Sequence, residues 1–302
     1  QQERQKGCVA AKSVQMVLDD SGSMDETDPS RLTFTATQLM LSKPRNFNRL
    51  LGASDFGNEV RSLFNPLEVG SEATEAALEA ARAGLNADNG STDYNAAFES
   101  LALHNPNADA RIFMTDGEHN EGDYKDLHRG PTPVYVVRLG SALSKSDDDR
   151  LKRIAKETNG EYYAINSPAN LPTVFNSIDA LLNCDISHKI DSGKLKPGES
   201  GIVEEKIDNG TESADVNLIV PGRDGNVAID RVEVLSGNRI VRKLGPKSIS
   251  KAIDTDLATK RKVKGPAAHR LRVQQWLAAS VVGTKSSDGK FTGLRIRNLE
   301  AN

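Results

Sequence analysis

The chain has 302 residues, of which 37% are hydrophobic and 27% charged, and a formal net charge of −3 at pH 7. That balance is ordinary for a soluble globular protein of about two domains. It leaves no basic footprint for nucleic acid or an anionic membrane surface, and no apolar run approaches the roughly 18 residues of a membrane-spanning helix.

The first residues, Gln1-Gln2-Glu3-Arg4-Gln5-Lys6, are polar and lack a signal-peptide core, and a start at Gln instead of Met is what a mature or trimmed form gives. Val14-Gln15-Met16-Val17-Leu18 then reads as a buried strand. It ends at Asp19-Asp20-Ser21-Gly22-Ser23. Beyond it Leu32, Ala36, Leu39 and Met40 recur at helical spacing along one face, with Asp28 expected as N-cap and Pro29 as first helical residue. Asp19–Ser23 is therefore a loop at the carboxyl end of a strand, where open α/β sheets bind ligands.

Arg49–Phe56 and Val60–Phe64 read as strands, and the short Gly57-Asn58 link allows only an antiparallel hairpin. Ser71 is the expected cap of an Ala-rich helix running to about Arg82, with Gly84 as its stop. After the polar stretch Asn86–Ser91, Thr92 leads into a helix carrying Ala96, Ala97, Leu101 and Leu103. Ile112–Thr115 is a short buried strand ending at Asp116-Gly117, and Val134–Val137 is the next. Ser146 with Asp147, Asp148 and Asp149 makes an acidic helix start that suits the positive end of the dipole. That helix carries Leu151, Ile154 and Ala155 and stops at Gly160. Tyr162–Ile165 and Leu171–Leu182 supply a last strand and helix. Strands alternating with helices predict an α/β domain over 1–185, with a doubly wound, mostly parallel, Rossmann-like sheet.

From about Asp185 the helical period disappears. Short β-type runs recur at Gly201–Ile207, Ala214–Val220, Val227–Leu235, Arg239–Leu244, Leu271–Val282 and Phe291–Arg297. Asn209-Gly210, Asp224-Gly225, Ser236-Gly237 and Asp288-Gly289 are turn signals between them. Residues 186–302 are expected to form a smaller all-β sandwich. Lys260-Arg261-Lys262-Val263-Lys264 reads as a solvated loop or a Lys-guarded edge strand.

Cys8 precedes the first strand and Cys184 follows the last helix of the first domain. A pair that brackets a domain reads as a disulfide of an oxidising compartment, the alternative being two unrelated buried thiols.

Asp19, Ser21 and Ser23 offer a carboxylate and two hydroxyls at alternate positions, a ligand set for a hard cation such as Mg²⁺. Asp19-Asp20-Ser21-Gly22-Ser23 resembles the D-x-S-x-S element of the metal-ion-dependent adhesion site of von Willebrand factor type A domains, the fold shared with integrin inserted domains. Thr92, within Asn89-Gly90-Ser91-Thr92-Asp93, resembles that site's lone threonine before a helix. Asp116, within Thr115-Asp116-Gly117, resembles its second aspartate at a strand end. The order agrees, and the likeness runs from about Ser13 to Leu182.

The resemblance implies a metal site of Asp19, Ser21, Ser23, Thr92 and Asp116, holding Mg²⁺ with Ca²⁺ or Mn²⁺ as alternatives. Its hydroxyls would coordinate directly and its aspartates often through water, leaving one position for an acidic side chain of a protein partner. Asp20 and Asp93 are further carboxylates nearby, bearing on Mg²⁺ against Ca²⁺. It also implies a secreted or cell-surface adhesion module with no catalytic residues, while the charge balance and the lack of a long apolar run speak for no nucleic-acid partner and no direct membrane insertion. The alternatives are a non-catalytic part of a secreted or membrane-associated hydrolase and a metal chelatase-type subunit. In related integrin domains the last helix slides as affinity rises, so a Cys8–Cys184 bond would restrain that travel.

Ser21-Gly22-Ser23 is not a nucleophile elbow, and no H-E-x-x-H pair is present. His119 and Glu118 follow Asp116 and read either as rim residues of the site or as surface-loop residues. Asn89-Gly90-Ser91 and Asn209-Gly210-Thr211 are glycosylation sequons that turn chemistry explains equally well.

Overall fold

The computed structural model describes residues 8–41, 43, 48–140, 143–184, 213–219, 231–236, 239–245, 281–285 and 291–297. Its main body is a six-stranded sheet built from β1 (Ser13–Asp19), β2 (Leu50–Phe56), β3 (Val60–Glu68), β4 (Ala110–Thr115), β5 (Val134–Leu139) and β6 (Tyr162–Ile165), in the order β3-β2-β1-β4-β5-β6. β1 pairs in parallel with both β2 and β4, and β5 continues the parallel ladder to β6. Only β3 is antiparallel, joined to β2 through the expected hairpin.

The helices are α1 (Met24–Thr27), α2 (Leu32–Leu41), α3 (Thr74–Gly84), α4 (Tyr94–His104), α5 (Lys145–Glu157) and α6 (Leu171–Leu182). Alternation along β1 divides the core. Val14, Met16 and Leu18 point to a cluster with α2, α3 and α6, while Val17 points to one with Tyr94, Phe98 and Leu101 of α4 and Leu151 and Ile154 of α5. The sheet is thus covered on both faces, which is why its central strands read as near-continuous apolar runs.

Several boundaries differ from the sequence reading. α2 starts at Leu32, not Pro29, because Pro29 and Ser30 form a turn. Asp28 still caps it, at longer range: its carboxylate accepts the Leu32 and Thr33 N–H groups at 2.8 and 2.7 Å. The expected one-sided helix is also corrected. All ten residues of α2 are buried, because α6 and α3 pack against it as well as the sheet. Thr92 leads into α4 as expected, with Asp93 as its N-cap, and α5 starts at Lys145, not Ser146, with Ser144 as its cap. Ala73, not Ser71, is the N-cap position of α3, which opens at Thr74. α5 ends at Glu157, with Asn159 supplying the left-handed residue (φ 57°). Gly160 instead permits a close backbone approach, since a Cβ there would fall 1.9 Å from Val134 O.

In the second half the described residues contain a three-stranded antiparallel sheet, β7 (Ser213–Ile219) with β11 (Phe291–Arg297) and β10 (Val281–Lys285), and a hairpin of β8 (Val232–Ser236) and β9 (Arg239–Leu244). The predicted runs Arg239–Leu244 and Phe291–Arg297 coincide with strands, and the described parts of Ala214–Val220 and Val227–Leu235 overlap β7 and β8, with 220–230 outside the described residues. The run at Gly201–Ile207, most of Leu271–Val282, the basic stretch at 260–264 and the Asn209 sequon lie outside the described residues. A sandwich of two packed sheets remains a proposal.

Cys8 and Cys184 are bonded, with Cα atoms 5.8 Å apart. Among the described residues no helix is long and apolar enough to cross a membrane.

Candidate metal centre

Strand order reverses between β1 and β4, the point outside the carboxyl ends of the strands where open α/β sheets bind ligands. Asp19 is the last residue of β1, and Asp116 directly follows β4. The parallel register pairs Leu18 with Met114, so Asp19 and Thr115 come side by side. Thr115 Oγ1 donates to Asp19 Oδ2 at 2.5 Å, and the Ser21 N–H donates to Asp19 Oδ1 at 2.9 Å.

Ser21, Ser23 and Asp116 form one chain of contacts. The two serine Oγ atoms lie 3.1 Å apart, and Ser23 Oγ donates to Asp116 Oδ1 at 2.8 Å. Thr92 arrives from the N-terminal edge of α4. Gly117 makes room for it, since a Cβ on Gly117 would lie 2.8 Å from Thr92 Oγ1 and 3.7 Å from Ser23 Oγ. Asp19, Ser21, Ser23, Thr92 and Asp116 are thus drawn into one cluster from three separate loops. Asp19, Ser21, Thr92 and Asp116 are buried, and Ser23 is exposed.

The electrostatics of this cluster are unfavourable by themselves. Burial, and then the charge of Asp116, push the Asp19 pKa up to about 7. Burial also raises that of Asp116, against hydroxyls of Thr27 and Ser23 that favour its ionised form. Asp116 Oδ2 is buried with no hydrogen-bond partner. An unpaired, ionised carboxylate oxygen beside a second carboxylate costs several kcal/mol unless a proton or a cation meets it, on the order of the penalty for any unpaired buried charge. Three hydroxyl oxygens and two carboxylates are the donor set of a hard divalent ion. The residues present fit such an ion. Among the described residues no three or more His, Cys, Asp or Glu are grouped so as to hold a metal ion; this cluster has two carboxylates, and its other oxygens are hydroxyls.

The two extra carboxylates are engaged elsewhere. Asp20 accepts the Ala87 N–H at 2.7 Å and pairs with Arg61 at 2.7 Å. Asp93 accepts the Asn95 N–H at 2.8 Å. Neither enlarges the hydroxyl–carboxylate cluster. His119 lies in the loop after β4 with its side chain buried, not at the surface. Its ring stacks on Tyr94 at 5.4 Å, and its Nδ1 accepts the Tyr94 N–H at 3.2 Å. Glu118 accepts the Ser144 N–H and so ties the loop after β4 to the start of α5. The Asn89 sequon is a turn: Asn89 Nδ2 donates to Glu59 O at 2.9 Å, and the residue is buried.

Residues not singled out in the sequence complete the support. Thr115 holds Asp19, Thr27 bears on Asp116, and Tyr94 Oη donates to Gly117 O at 2.7 Å. Thr115 carried a signal, because it lies two residues from the apolar Phe113 and so shares its face, beside Asp19. Thr27 carried none.

No family model and no curated protein matches the sequence. Among solved structures, a von Willebrand factor type A protein from Catenulispora acidiphila is 20% identical, covering 57% of this chain and 42% of its own, with a TM-score of 0.46. Proximal thread matrix protein 1 from the mussel byssus, in a structure described as having a zinc-occupied MIDAS motif, is 17% identical over 58% of this chain and 48% of its own, with a TM-score of 0.46. The von Willebrand factor domain of the type V pilus tip protein Mfa5 from Porphyromonas gingivalis is 12% identical over 63% of this chain and 100% of its own, at 0.46. The chain spans less than half of the length of the first two. The six-stranded, mostly parallel sheet flanked by helices is consistent with a von Willebrand factor type A fold.

Proposed function

We propose that the chain is a non-catalytic, divalent-cation-dependent protein-binding module of the adhesion type. The observation that carries this reading is the buried, unpartnered Asp116 Oδ2 within the cluster of Asp19, Ser21, Ser23 and Thr92. Those five residues would hold Mg²⁺, with Ca²⁺ or Mn²⁺ as substitutes. When bound, the ion supplies an electrophilic position for a carboxylate oxygen of a protein partner. The chain's own residues orient the site: Thr115 fixes Asp19, and Gly117 leaves space for the Thr92 hydroxyl.

The Cys8–Cys184 bond supports a secreted or cell-surface location and weighs against a cytosolic chelatase-type subunit. The second half, 186–302, is read as a β-sandwich that carries the module. Calorimetric titration of the metal-stripped chain with Mg²⁺ and Mn²⁺ tests the reading. One bound ion is expected, with Thr92→Ala weakening it at least tenfold, about 1.4 kcal/mol. No heat of binding for any divalent ion would sink it.

A further inference from the structure

The rim around the cluster bears on the partner's chemistry, on the reading that the cluster binds metal. Four loops meet there. The Gly22 N–H donates to Gly90 O at 2.9 Å, the Ser91 N–H to Asn58 Oδ1 at 2.7 Å, and the Thr92 N–H to Asn120 Oδ1 at 2.8 Å. Ser91 Oγ hydrogen-bonds Glu121 at 2.5 Å. Asp25 and Glu26 of α1 and Glu59, Asp88 and Glu121 of these loops are exposed, with Asp25 and Asp88 paired to arginines and Lys125 exposed on the same loop as Glu121.

The arginines among them are already committed. Arg31 turns to Asp25 at 3.3 Å and to Asn86 O at 2.7 Å. Arg61 is held by Asp20, Asp55 and Asp88 at 2.7, 3.0 and 2.8 Å. A second, independent feature marks the centre as a place that takes a ligand: Asp116, buried, with Oδ2 unpartnered.

Centre and rim ask for different things. A divalent cation between the Asp19 and Asp116 carboxylates is neutralised at its own site. Beyond contact, the field an approaching molecule meets is therefore that of the acidic rim, effective over about 8 Å at physiological salt. A bare acidic patch reaching for the ion is repelled before coordination can reward it. A carboxylate set between lysines or arginines gains on both counts, since like-charge juxtaposition rejects the wrong partner and complementary charge steers the right one. We propose that the partner is a basic protein segment whose metal-seeking carboxylate is flanked by Lys or Arg.

The test uses the full chain, immobilised and loaded with Mg²⁺, and two soluble probes of equal length: a random Glu–Lys copolymer and poly-Glu. Capture of the copolymer is expected at least tenfold tighter than that of poly-Glu at low salt, lost in EDTA, and weakened several-fold by 0.5 M NaCl, where about 4 Å is the screening length. Glu26→Gln with Glu59→Gln is expected to narrow the preference at least threefold while Mn²⁺ affinity, read by calorimetry, stays unchanged. Equal or tighter capture of poly-Glu, copolymer capture that survives EDTA, or no Mg²⁺-dependent capture of the copolymer overturns the inference. The same Mn²⁺ titration separates the two claims. Absence of metal binding brings down the proposed function as well, whereas metal binding without the charge preference brings down this inference alone.

Discussion

Asp19 and Asp20 are neighbours in the chain with opposite fates, because successive residues of an extended backbone face opposite ways. Asp19 shares a cluster with hydroxyls, and Asp20 is taken by Arg61, 41 residues further on. No local spacing announces that ion pair, which is why the sequence counts Asp20 as a nearby carboxylate and the structure removes it. The five candidate residues could be grouped from the sequence because each lies at a strand end, in the loop after it or before a helix, in a fixed order. The partners that silence His119, Asp20 and Asp93 come from packing. Gly117 gives the sharpest test at this scale. A methyl group there would press on Thr92 Oγ1 at 2.8 Å, so Gly117→Ala is expected to lower Mg²⁺ affinity at least tenfold by calorimetry. The melting temperature in EDTA should change little. A variant that binds Mg²⁺ as the parent does would show that Thr92 takes no part. Gly57 is tighter still, with a Cβ only 2.0 Å from Asn89 O, a backbone atom. Gly57→Ala is therefore expected to lower the melting temperature of the metal-free chain, by an overpacking cost of about 1–3 kcal/mol, and unchanged melting would sink that expectation.

At the scale of elements, the strands were read well because buried parallel strands are short apolar runs, and the two-residue link fixed the β2–β3 hairpin. The helices were read less well. α2 carries Thr33, Thr35, Thr37 and Gln38 where solvent would be expected, yet every one of them is buried. The helix is enclosed by neighbours that a single period cannot reveal. The far end of α6 is enclosed in a different way. Asp179 lies buried between Lys43 at 2.6 Å and Arg49 at 2.5 Å, and the Ala11 N–H donates to Leu182 O at 2.8 Å. Burial pushes the Asp179 pKa up, but the two cations and their hydrogen bonds pull it below the ordinary value of 3.8. A depressed carboxylate pKa contributes stability that is present above the unfolded value and lost as pH falls through the folded one. Asp179→Asn is therefore expected to cost about 3–5 kcal/mol at pH 7, the usual effect of breaking a buried pair from one side. The gap from the parent should close as pH falls below about 4, the unfolded carboxylate range. Denaturant unfolding at several pH values measures it, and a gap that widens with acid would refute the assignment.

For the molecule as a whole, the candidate metal centre and the disulfide occupy opposite ends of the central strand. β1 begins at Ser13, shortly after Cys8, and its seven residues finish at Asp19, a span of roughly 20 Å at about 3.3 Å per residue. The disulfide was legible because the two cysteines bracket the domain. The division into 1–185 and 186–302 is a proposal. The bond spans 176 positions of sequence and in the chain-entropy model is worth up to about 5 kcal/mol. Its position suggests more than stability. Cys184 directly follows α6, and the bond, the Asp179 pair and the Ala11–Leu182 hydrogen bond all hold the end of α6 at the base of β1. By the resemblance to integrin domains, sliding of the last helix accompanies higher affinity. A helix held here in three ways is expected to leave the domain in one affinity state, since a switch needs two states that a ligand distinguishes. The comparison is between the oxidised chain and Cys8→Ser/Cys184→Ser, each saturated with Mg²⁺ and offered the Glu–Lys copolymer. A tenfold or larger change in affinity, about 1.4 kcal/mol, is expected once the bond is gone, and Asp179→Asn in the same background should enlarge it. Equal affinities across the three proteins, with each shown folded by its cooperative unfolding, would mean that the end of α6 has no hold on the site.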